Sequence, residues 1–158
     1  MAIADWLVIP VVLVSVASLL YFVPNKKKIP AYSRLLVAGL TSYMTAKFMA
    51  LAYQPSSMRP FEIAGVAPGA SYLDNPGFPS DHALFVWVLV FAVWHATRKT
   101  WLVLAVITAA IMVSIGRVVA LVHAPVDIVG GFFAAAVGAV WYMSIKGNQT
   151  NTLQKQQK

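Results

Sequence analysis

Five long apolar stretches, separated by polar connections, dominate the pattern of residues along the chain. A helix that crosses a bilayer needs about 20 mostly apolar residues, and each stretch reaches or approaches that length. The stretches are residues 6–23, 31–52, 80–97, 101–121 and 125–145. The pattern therefore predicts an all-α fold, a polytopic membrane bundle of five transmembrane helices, with residues 1–146 forming a single domain.

The connections between these stretches differ in length. The connection 53–79 contains five prolines and several glycines, so it cannot be a regular helix throughout. Connections of this length in compact domains are usually functional or disordered. The last residues, 147–158, are polar and rich in Gln, Asn and Lys, which is typical of a disordered tail. The fifth stretch has a face of small residues suited to close helix packing. These residues are Gly130, Gly131, Ala134 and Gly138.

The composition agrees with a membrane protein. Of the 158 residues, 59% are hydrophobic and only 11% are charged, whereas about 25% are charged in a soluble domain. Cysteine is absent, which excludes disulfides and zinc–thiolate sites. Asp5 lies where a cleaved signal peptide would carry basic residues. We therefore expect the first apolar stretch to remain as a helix of the mature protein.

The charges predict an orientation in the membrane. If all five stretches cross, one side holds nine of the twelve Lys and Arg residues, and the other side holds all five acidic residues. An excess of Lys and Arg marks the cytoplasmic side. We therefore expect a plasma-membrane protein with a cytoplasmic C-terminus and an outward-facing 53–79 connection. The same rule accounts for the net charge of +7, so we expect no nucleic-acid partner.

Residues that can carry out chemistry occur in three short pieces on the predicted outer side. The pieces are Arg59-Pro60, Phe78-Pro79-Ser80-Asp81-His82, and the segment 116–127 with Arg117, His123 and Asp127. A charged group at the centre of a bilayer costs about 2.5–3.5 kcal/mol, so such groups usually mark a functional site. An ion-paired helix junction is the alternative interpretation of the third piece.

These residue types suit the binding of a phosphate. Ser80 can cap the third helix, whose free N–H groups and positive dipole end favour an anion. Arg59 and Arg117 can supply forked donors to phosphate oxygens. Pro125 fits the first turn of the fifth helix, so that Asp127 can reach back to the ring of His123.

Together the three pieces resemble the signature of the type 2 phosphatidic acid phosphatase superfamily, whose soluble relatives include acid phosphatases and vanadium haloperoxidases. That signature reads Lys-x6-Arg-Pro, Pro-Ser-Gly-His and Ser-Arg-x5-His-x3-Asp, and the pieces occur here in the same order over residues 47–131. There are three departures. Lys47 lies twelve residues before Arg59 instead of seven, Asp81 replaces a glycine, and Gly116 replaces a serine. Lys47 can therefore be either a phosphate ligand or an ordinary lysine whose side chain extends to the membrane surface.

The resemblance implies a role for each matching residue and a core like that of the superfamily. His123 would be the nucleophile that forms a phosphohistidine, Asp127 would orient it, and His82 would protonate the leaving oxygen. The phosphate ligands would be Arg59, Ser80, Arg117, the backbone N–H groups near Asp81, and Lys47 if it reaches. No metal or other cofactor is implied. Because a carboxylate beside a phosphate is unfavourable, we expect Asp81 to point away or to pair with an arginine.

The remaining histidine serves as a comparison. His95 follows His82 by thirteen residues on the same predicted helix, which places it about 20 Å away at 1.5 Å per residue. We expect it to take no part in catalysis.

The predicted function is hydrolysis of a lipid phosphate. The Pro-Ser-Asp-His form of the second piece resembles the bacitracin-resistance-type undecaprenyl diphosphatases, which favours a polyprenyl diphosphate as substrate. Phosphatidylglycerol phosphate and phosphatidic acid are alternative substrates. Transport of a lipid phosphate without hydrolysis and a non-catalytic scaffold are alternatives of other classes. Transport has no use for both a nucleophile and a leaving-group acid, so the two histidines favour hydrolysis. The expected partners are the substrate and membrane lipids.

Overall fold

The computed structural model describes residues 5–56, 58–75 and 77–143. In these ranges the chain is helical and contains no strand. The helices are α1 (Val8–Phe22), α2 (Lys28–Ala52), α3 (Pro60–Ile63), α4 (Asp81–Thr97), α5 (Thr100–Val119) and α6 (Pro125–Ala139). The predicted all-α fold is confirmed, and each of the five apolar stretches forms one of the long helices.

Several helix ends coincide with capping signals in the sequence. Ser80 precedes α4, and its Oγ accepts a hydrogen bond from the N–H of Ala83 at 3.4 Å. At the other end of α4, Arg98 adopts a left-handed backbone conformation with φ of 54°, which stops the helix. Pro125 opens α6, where its missing N–H would have had no helical partner. The sequence therefore determines where α4 and α6 begin, and the residues at these two helix starts form part of the site.

The end of the last helix differs from the prediction. The fifth stretch was expected to be helical to residue 145, but α6 ends at Ala139 and a 3-10 turn, Val140–Tyr142, follows it. Residue 145 and the predicted polar tail, 147–158, lie outside the described residues. The division into one domain and a tail stays a prediction.

Helix α4 is the centre of the bundle, because it packs against α1, α2, α5 and α6. Its buried residues Val86, Leu89, Val90 and Val93 join one apolar cluster with buried residues of α1 and α5. Their spacing of three and four residues is that of one helix face. This packing fixes α4 in the bundle and so fixes the end that carries Ser80, Asp81 and His82.

Helix α6 approaches its neighbours through the predicted face of small residues, and this prediction is confirmed. Gly130, Gly131, Ala134 and Gly138 are all buried. A Cβ atom on Gly131 would lie 2.7 Å from the carbonyl oxygen of Ser80 and 2.8 Å from the nitrogen of Leu84. The absence of a side chain at Gly131 lets the backbones of α4 and α6 come together, and the N–H of Ser80 donates to the carbonyl of Asp127 at 2.9 Å.

The outer surface of the bundle is strongly apolar. Large side chains such as Leu36, Phe48, Leu51 and Val119 are exposed on the long helices. Three segments are long and apolar enough to cross a membrane, namely Asn25–Ala52, Thr100–Val119 and Pro125–Tyr142. Helices α1 and α4 are also apolar but have only 15 and 17 residues. These features support a membrane protein, whereas the crossing of all five helices stays a prediction.

We predict that the 53–79 connection faces outward and that the turn before α2 faces the cytoplasm, because the basic residues concentrate on the second side. Ala67 and Lys27 are both exposed and report on the two sides. In intact cells, a membrane-impermeant maleimide should label Ala67→Cys, and it should label Lys27→Cys only after lysis. The chain has no cysteine of its own, so the background is low. The reverse labelling pattern would overturn this orientation.

We also predict that Gly131→Ala destabilises the fold by about 1–3 kcal/mol, the usual cost of forcing an extra carbon into a packed contact. Gly39→Ala is the matched control, because a Cβ there meets nothing within 4 Å. Alanine favours a helix over glycine by about 0.5–1 kcal/mol, so this variant should be as stable as the parent or slightly more stable. Thermal unfolding of both purified variants in one detergent makes the comparison. Equal unfolding midpoints would contradict the role given to Gly131.

Candidate active site

The ring of His123 is held by Asp127. The Nδ1 atom of His123 lies 3.3 Å from Oδ2 of Asp127, and both side chains are buried. The same carboxylate oxygen accepts a hydrogen bond from the N–H of Ala124 at 2.8 Å, as expected for an acidic residue in the first turn of α6. Because the carboxylate occupies Nδ1, the Nε2 atom is the one available to a substrate.

Burial sets the charge state of His123. It lowers the pKa of the imidazole, the hydrogen bond to Asp127 opposes that shift, and the nearby Arg117 and Arg59 add to it. The net effect is a pKa below the ordinary value of 6.5, so the ring is neutral at pH 7. A neutral imidazole with a free Nε2 is the form that can act as a nucleophile.

A cavity of about 180 Å³ brings most of the predicted site residues together. Arg59, Asp81, His82, Arg117 and His123 all line it. The rest of its wall comes from the long connection, namely from Ser71, Tyr72, Leu73, Asn75 and Gly77. Two other predicted phosphate ligands are placed elsewhere. Ser80 is fully buried as the cap of α4, and Lys47 lines a neighbouring cavity. The cavity thus contains two arginines and two histidines from three separate parts of the sequence.

The Arg59 guanidinium binds three carbonyl groups. Its Nη1 donates to the carbonyl of Val122 at 2.5 Å, its Nη2 to that of Leu73 at 2.9 Å, and its Nε to that of Asn75 at 3.1 Å. The Nη2 atom also donates to Oδ1 of Asn75 at 2.8 Å. Arg59 therefore links the long connection to the residue before His123. Burial lowers its pKa, while the charge of Asp127 raises it.

Gly77 makes room for that arginine. Its φ of +93° lies in the region that favours glycine, and a Cβ there would come within 3.0 Å of Nη1 of Arg59. Gly77 and Asn75 therefore shape the cavity, although the sequence patterns did not single them out. The only signal that pointed to them was the unusual length of the connection.

Arg117 is almost completely buried and is paired with Asp5. Its Nη1 donates to Oδ1 of Asp5 at 2.8 Å, and its Nη2 donates to the carbonyl of Ser71 at 2.6 Å. Its Nε has no hydrogen-bond partner among the described residues. Arg117 therefore has N–H groups left for a further acceptor, because a guanidinium carries five.

The carboxylate of Asp5 is fixed by more than Arg117. The N–H and the hydroxyl of Ser71 donate to its two oxygens at 3.0 and 2.7 Å. Burial alone would raise the pKa of Asp5, but the hydrogen bonds from Ser71 and the charge of Arg117 lower it overall. The sequence placed Asp5 on the same predicted side as Arg117, yet it gave no reason to pair residues so far apart.

Asp81 pairs with a lysine, whereas we expected an arginine as its partner. Its Oδ1 lies 4.0 Å from Nζ of Lys47, and both side chains are about half exposed. The Nζ atom also lies 5.0 Å from the centre of the Tyr43 ring. The prediction of an arginine partner was wrong, because the packing of α2 beside α4 brings Lys47 to this carboxylate. The alternative expectation, that the carboxylate points away from a bound phosphate, stays a prediction.

His95 lies near the end of α4 opposite to His82. Its ring stacks on Tyr142, with 4.8 Å between ring centres. It is not among the residues that line the cavity with His123. The placement agrees with the expectation that His95 belongs to the other end of the bundle.

The comparison with known families identifies the class of protein. Residues 31–151 match the PAP2 superfamily, and this match covers most of the chain. The chain belongs to that superfamily, and the resemblance predicted from the three motif pieces is confirmed.

One curated relative is similar over part of the sequence. It is the Escherichia coli (strain K12) protein named "Putative undecaprenyl-diphosphatase YbjG", and it is 34% identical over 68 residues, which are 42% of this chain and 33% of the relative. The match thus spans about a third of the relative's length. No solved structure matches the chain significantly. The family and the relative together support the prediction of a phosphoric ester hydrolase.

Proposed function

We propose that this chain is a membrane phosphatase that hydrolyses a polyprenyl diphosphate to the monophosphate and inorganic phosphate. The observation that carries the proposal is the single cavity lined by Arg59, His82, Arg117 and His123, with Asp127 behind His123. The superfamily match and the name of the relative from Escherichia coli support the same class of reaction. A cavity on the outer face of the plasma membrane, with the C-terminus in the cytoplasm, fits a lipid whose headgroup lies in water.

The first step is attack by Nε2 of His123 on the terminal phosphorus atom. A bond forms between nitrogen and phosphorus, and the bond from phosphorus to the bridging oxygen breaks. Asp127 keeps the proton on Nδ1 and stabilises the positive ring that results, as a carboxylate behind a catalytic histidine does. The product of this step is a phosphohistidine and a lipid monophosphate.

His82 serves the leaving group and then the water. It lines the same cavity as His123, so it can deliver a proton to the departing oxygen. In the second step a water molecule attacks the phosphohistidine, the nitrogen–phosphorus bond breaks, and inorganic phosphate is released. His82 can accept the proton of that water, which returns both histidines to their starting states.

The phosphoryl oxygens are bound mainly by the arginines. Arg117 has an Nε–H without a partner among the described residues, and Arg59 is held by carbonyls at the edge of the cavity. Both are charged donors in a largely buried setting, where hydrogen bonds to an anion are strong. Ser80 contributes by capping the first turn of α4, which carries the cavity residues Asp81 and His82.

The substrate prediction is tested by comparing lipids. The purified protein should release phosphate from a polyprenyl diphosphate with a higher specificity constant than from phosphatidic acid or phosphatidylglycerol phosphate. The reasons are the Asp81 variant of the second motif piece and the similarity to a protein named as an undecaprenyl-diphosphatase. Higher specificity constants for the glycerolipids would replace the polyprenyl assignment and leave the mechanism in place. Uptake of lipid phosphates into vesicles without any phosphate release would favour transport.

The two histidines that line the cavity should be needed for turnover, whereas the third, His95, should not. We expect His123→Ala to lower the turnover number by at least about 10³-fold, because the nucleophile is lost. We expect His82→Ala to slow a monophosphate ester more than a diphosphate, because an alkoxide needs a proton more than a phosphate does. His95→Ala is the matched control and should have near-normal turnover, since that ring stacks on Tyr142 at the other end of α4.

These variants are compared by phosphate release on one monophosphate lipid and one diphosphate lipid. Thermal unfolding of each variant checks that it is folded. Near-normal turnover by a folded His123→Ala protein would refute the phosphohistidine mechanism.

A further inference from the structure

We propose that Lys47 and Gln54 form a second phosphate subsite, which binds the phosphate that stays on the lipid. This inference rests on the proposed diphosphatase function and explains how the site would select a diphosphate over a monophosphate. The family signature implies that its lysine binds the phosphoryl group that is transferred. We assign Lys47 to the other phosphate, because in the proposed mechanism the transferred phosphoryl group binds beside His123.

The first observation is that two cavities lie side by side. The cavity of about 180 Å³ contains His123 and both arginines, and a cavity of about 90 Å³ contains Lys47 and Gln54. Asn75, Gly77 and Asp81 line both, so the two spaces share a wall. Since the two phosphorus atoms of a diphosphate share one oxygen, its binding sites must be neighbours of this kind.

The second observation is the ion pair across that wall. Nζ of Lys47 lies 4.0 Å from Oδ1 of Asp81, which lines both cavities. Two of the three departures from the family signature therefore form one ion pair: the lysine that lies twelve residues before Arg59 and the aspartate that replaces glycine. The pair holds Lys47 in the lining of the second cavity, whereas Lys47 does not line the first.

Lys47 is suited to exchange its partner. Its ammonium group ends a flexible stem and has three donors, and the pair is about half exposed, so its attraction to Asp81 is weakened by water. A phosphate with two negative charges is a stronger acceptor than one carboxylate oxygen at 4.0 Å. When bound, Lys47 would also offset the repulsion between Asp81 and the diphosphate.

Gln54 adds a neutral donor on the same side. Its Nε2 donates to the carbonyl of Ala50 at 2.7 Å and, more weakly, to that of Phe78 at 3.4 Å, so the amide lies between the end of α2 and the segment before α4. It is exposed and its longer bond is easily exchanged for a phosphate oxygen.

The lipid tail has an apolar route away from this subsite. Tyr43 and Leu51 lie one helical turn from Lys47 on either side along α2, on the same helix face. Both are exposed, and the Tyr43 ring lies 5.0 Å from Nζ of Lys47. A prenyl chain attached to the second phosphate can therefore continue along the outer surface of α2 into the bilayer.

The positions of the two cavities fit the proposed cleavage of a diphosphate. The bond that breaks joins the terminal phosphorus to the bridging oxygen, and this oxygen would lie at the shared wall that carries Asp81, next to His82 of the first cavity. After cleavage the lipid monophosphate leaves from the second subsite, and the phosphoryl group stays on His123 until water releases it. No further reactant is needed.

The experiment measures how Lys47→Met changes the preference between two substrates with the same prenyl tail, a diphosphate and a monophosphate. Loss of a charge-assisted contact should lower kcat/KM for the diphosphate by about 10-fold or more, mostly through KM. The value for the monophosphate should change by less than about 2-fold, because it has no second phosphate. Lys47→Arg should restore most of the preference. Lys28→Met, at the other end of α2, is the control and should behave like the parent.

Two results would overturn the subsite. An equal loss for both substrates would mean that Lys47 binds the transferred phosphoryl group, and no loss for either would mean that Lys47 is an ordinary surface lysine. Gln54→Leu should show a smaller loss in the same direction, and it provides a second test if Lys47→Met does not fold.

A binding measurement separates the subsite from the proposed function. Methylenediphosphonate cannot be hydrolysed at its bridge, and its affinity for the purified protein can be measured by thermal stabilisation. Lys47→Met should weaken this binding and leave the binding of inorganic phosphate unchanged. If the parent protein hydrolyses no diphosphate but shows this pattern, the proposed function fails and the subsite stands. If Lys47→Met binds methylenediphosphonate as tightly as the parent does, the subsite fails whatever the substrate is.

Discussion

The site depends on the burial of the guanidinium of Arg59. A buried charge is costly unless its hydrogen bonds are satisfied, and here they are satisfied by carbonyls of Leu73, Asn75 and Val122. Two of these carbonyls belong to the long connection, and the third belongs to the residue before His123. One side chain thus forces a proline-rich connection to fold against the junction of α5 and α6. The cavity exists because that connection forms part of its wall.

The second constraint is the balance of charge around the cavity. Arg117 is paired with Asp5, Lys47 with Asp81, and His123 with Asp127. The two pairs with Arg117 and Lys47 neutralise charges that would otherwise be costly near the apolar part of a bilayer, whereas the neutral ring of His123 binds Asp127 through a hydrogen bond. Within the part of the chain that the structure describes, Arg117 also keeps donors without a partner, because a guanidinium has more N–H groups than Asp5 and Ser71 accept. Paired charges together with such donors are what the proposed binding of an anionic substrate requires.

The close contact of α4 and α6 joins these parts into one site. Glycines on α6 allow the N-terminal ends of both helices to meet, and the N–H of Ser80 binds the carbonyl of Asp127. Two of the motif pieces are therefore held in register by backbone contacts. A side chain at Gly131 would separate them, which ties the packing of the bundle to the chemistry at its end.

The sequence by itself determined the features that depend on neighbouring residues. The apolar stretches are continuous along the chain. The cap at Ser80, the proline at the start of α6 and the four-residue spacing of His123 and Asp127 act over one or two helical turns. Tertiary structure alone decided the pairing of Asp5 with Arg117 and of Lys47 with Asp81, and the placing of the long connection over the cavity. These contacts join residues 112 and 34 positions apart (117 − 5 and 81 − 47). No local pattern encodes such a contact, because it forms only when helices and the irregular segment between them pack together.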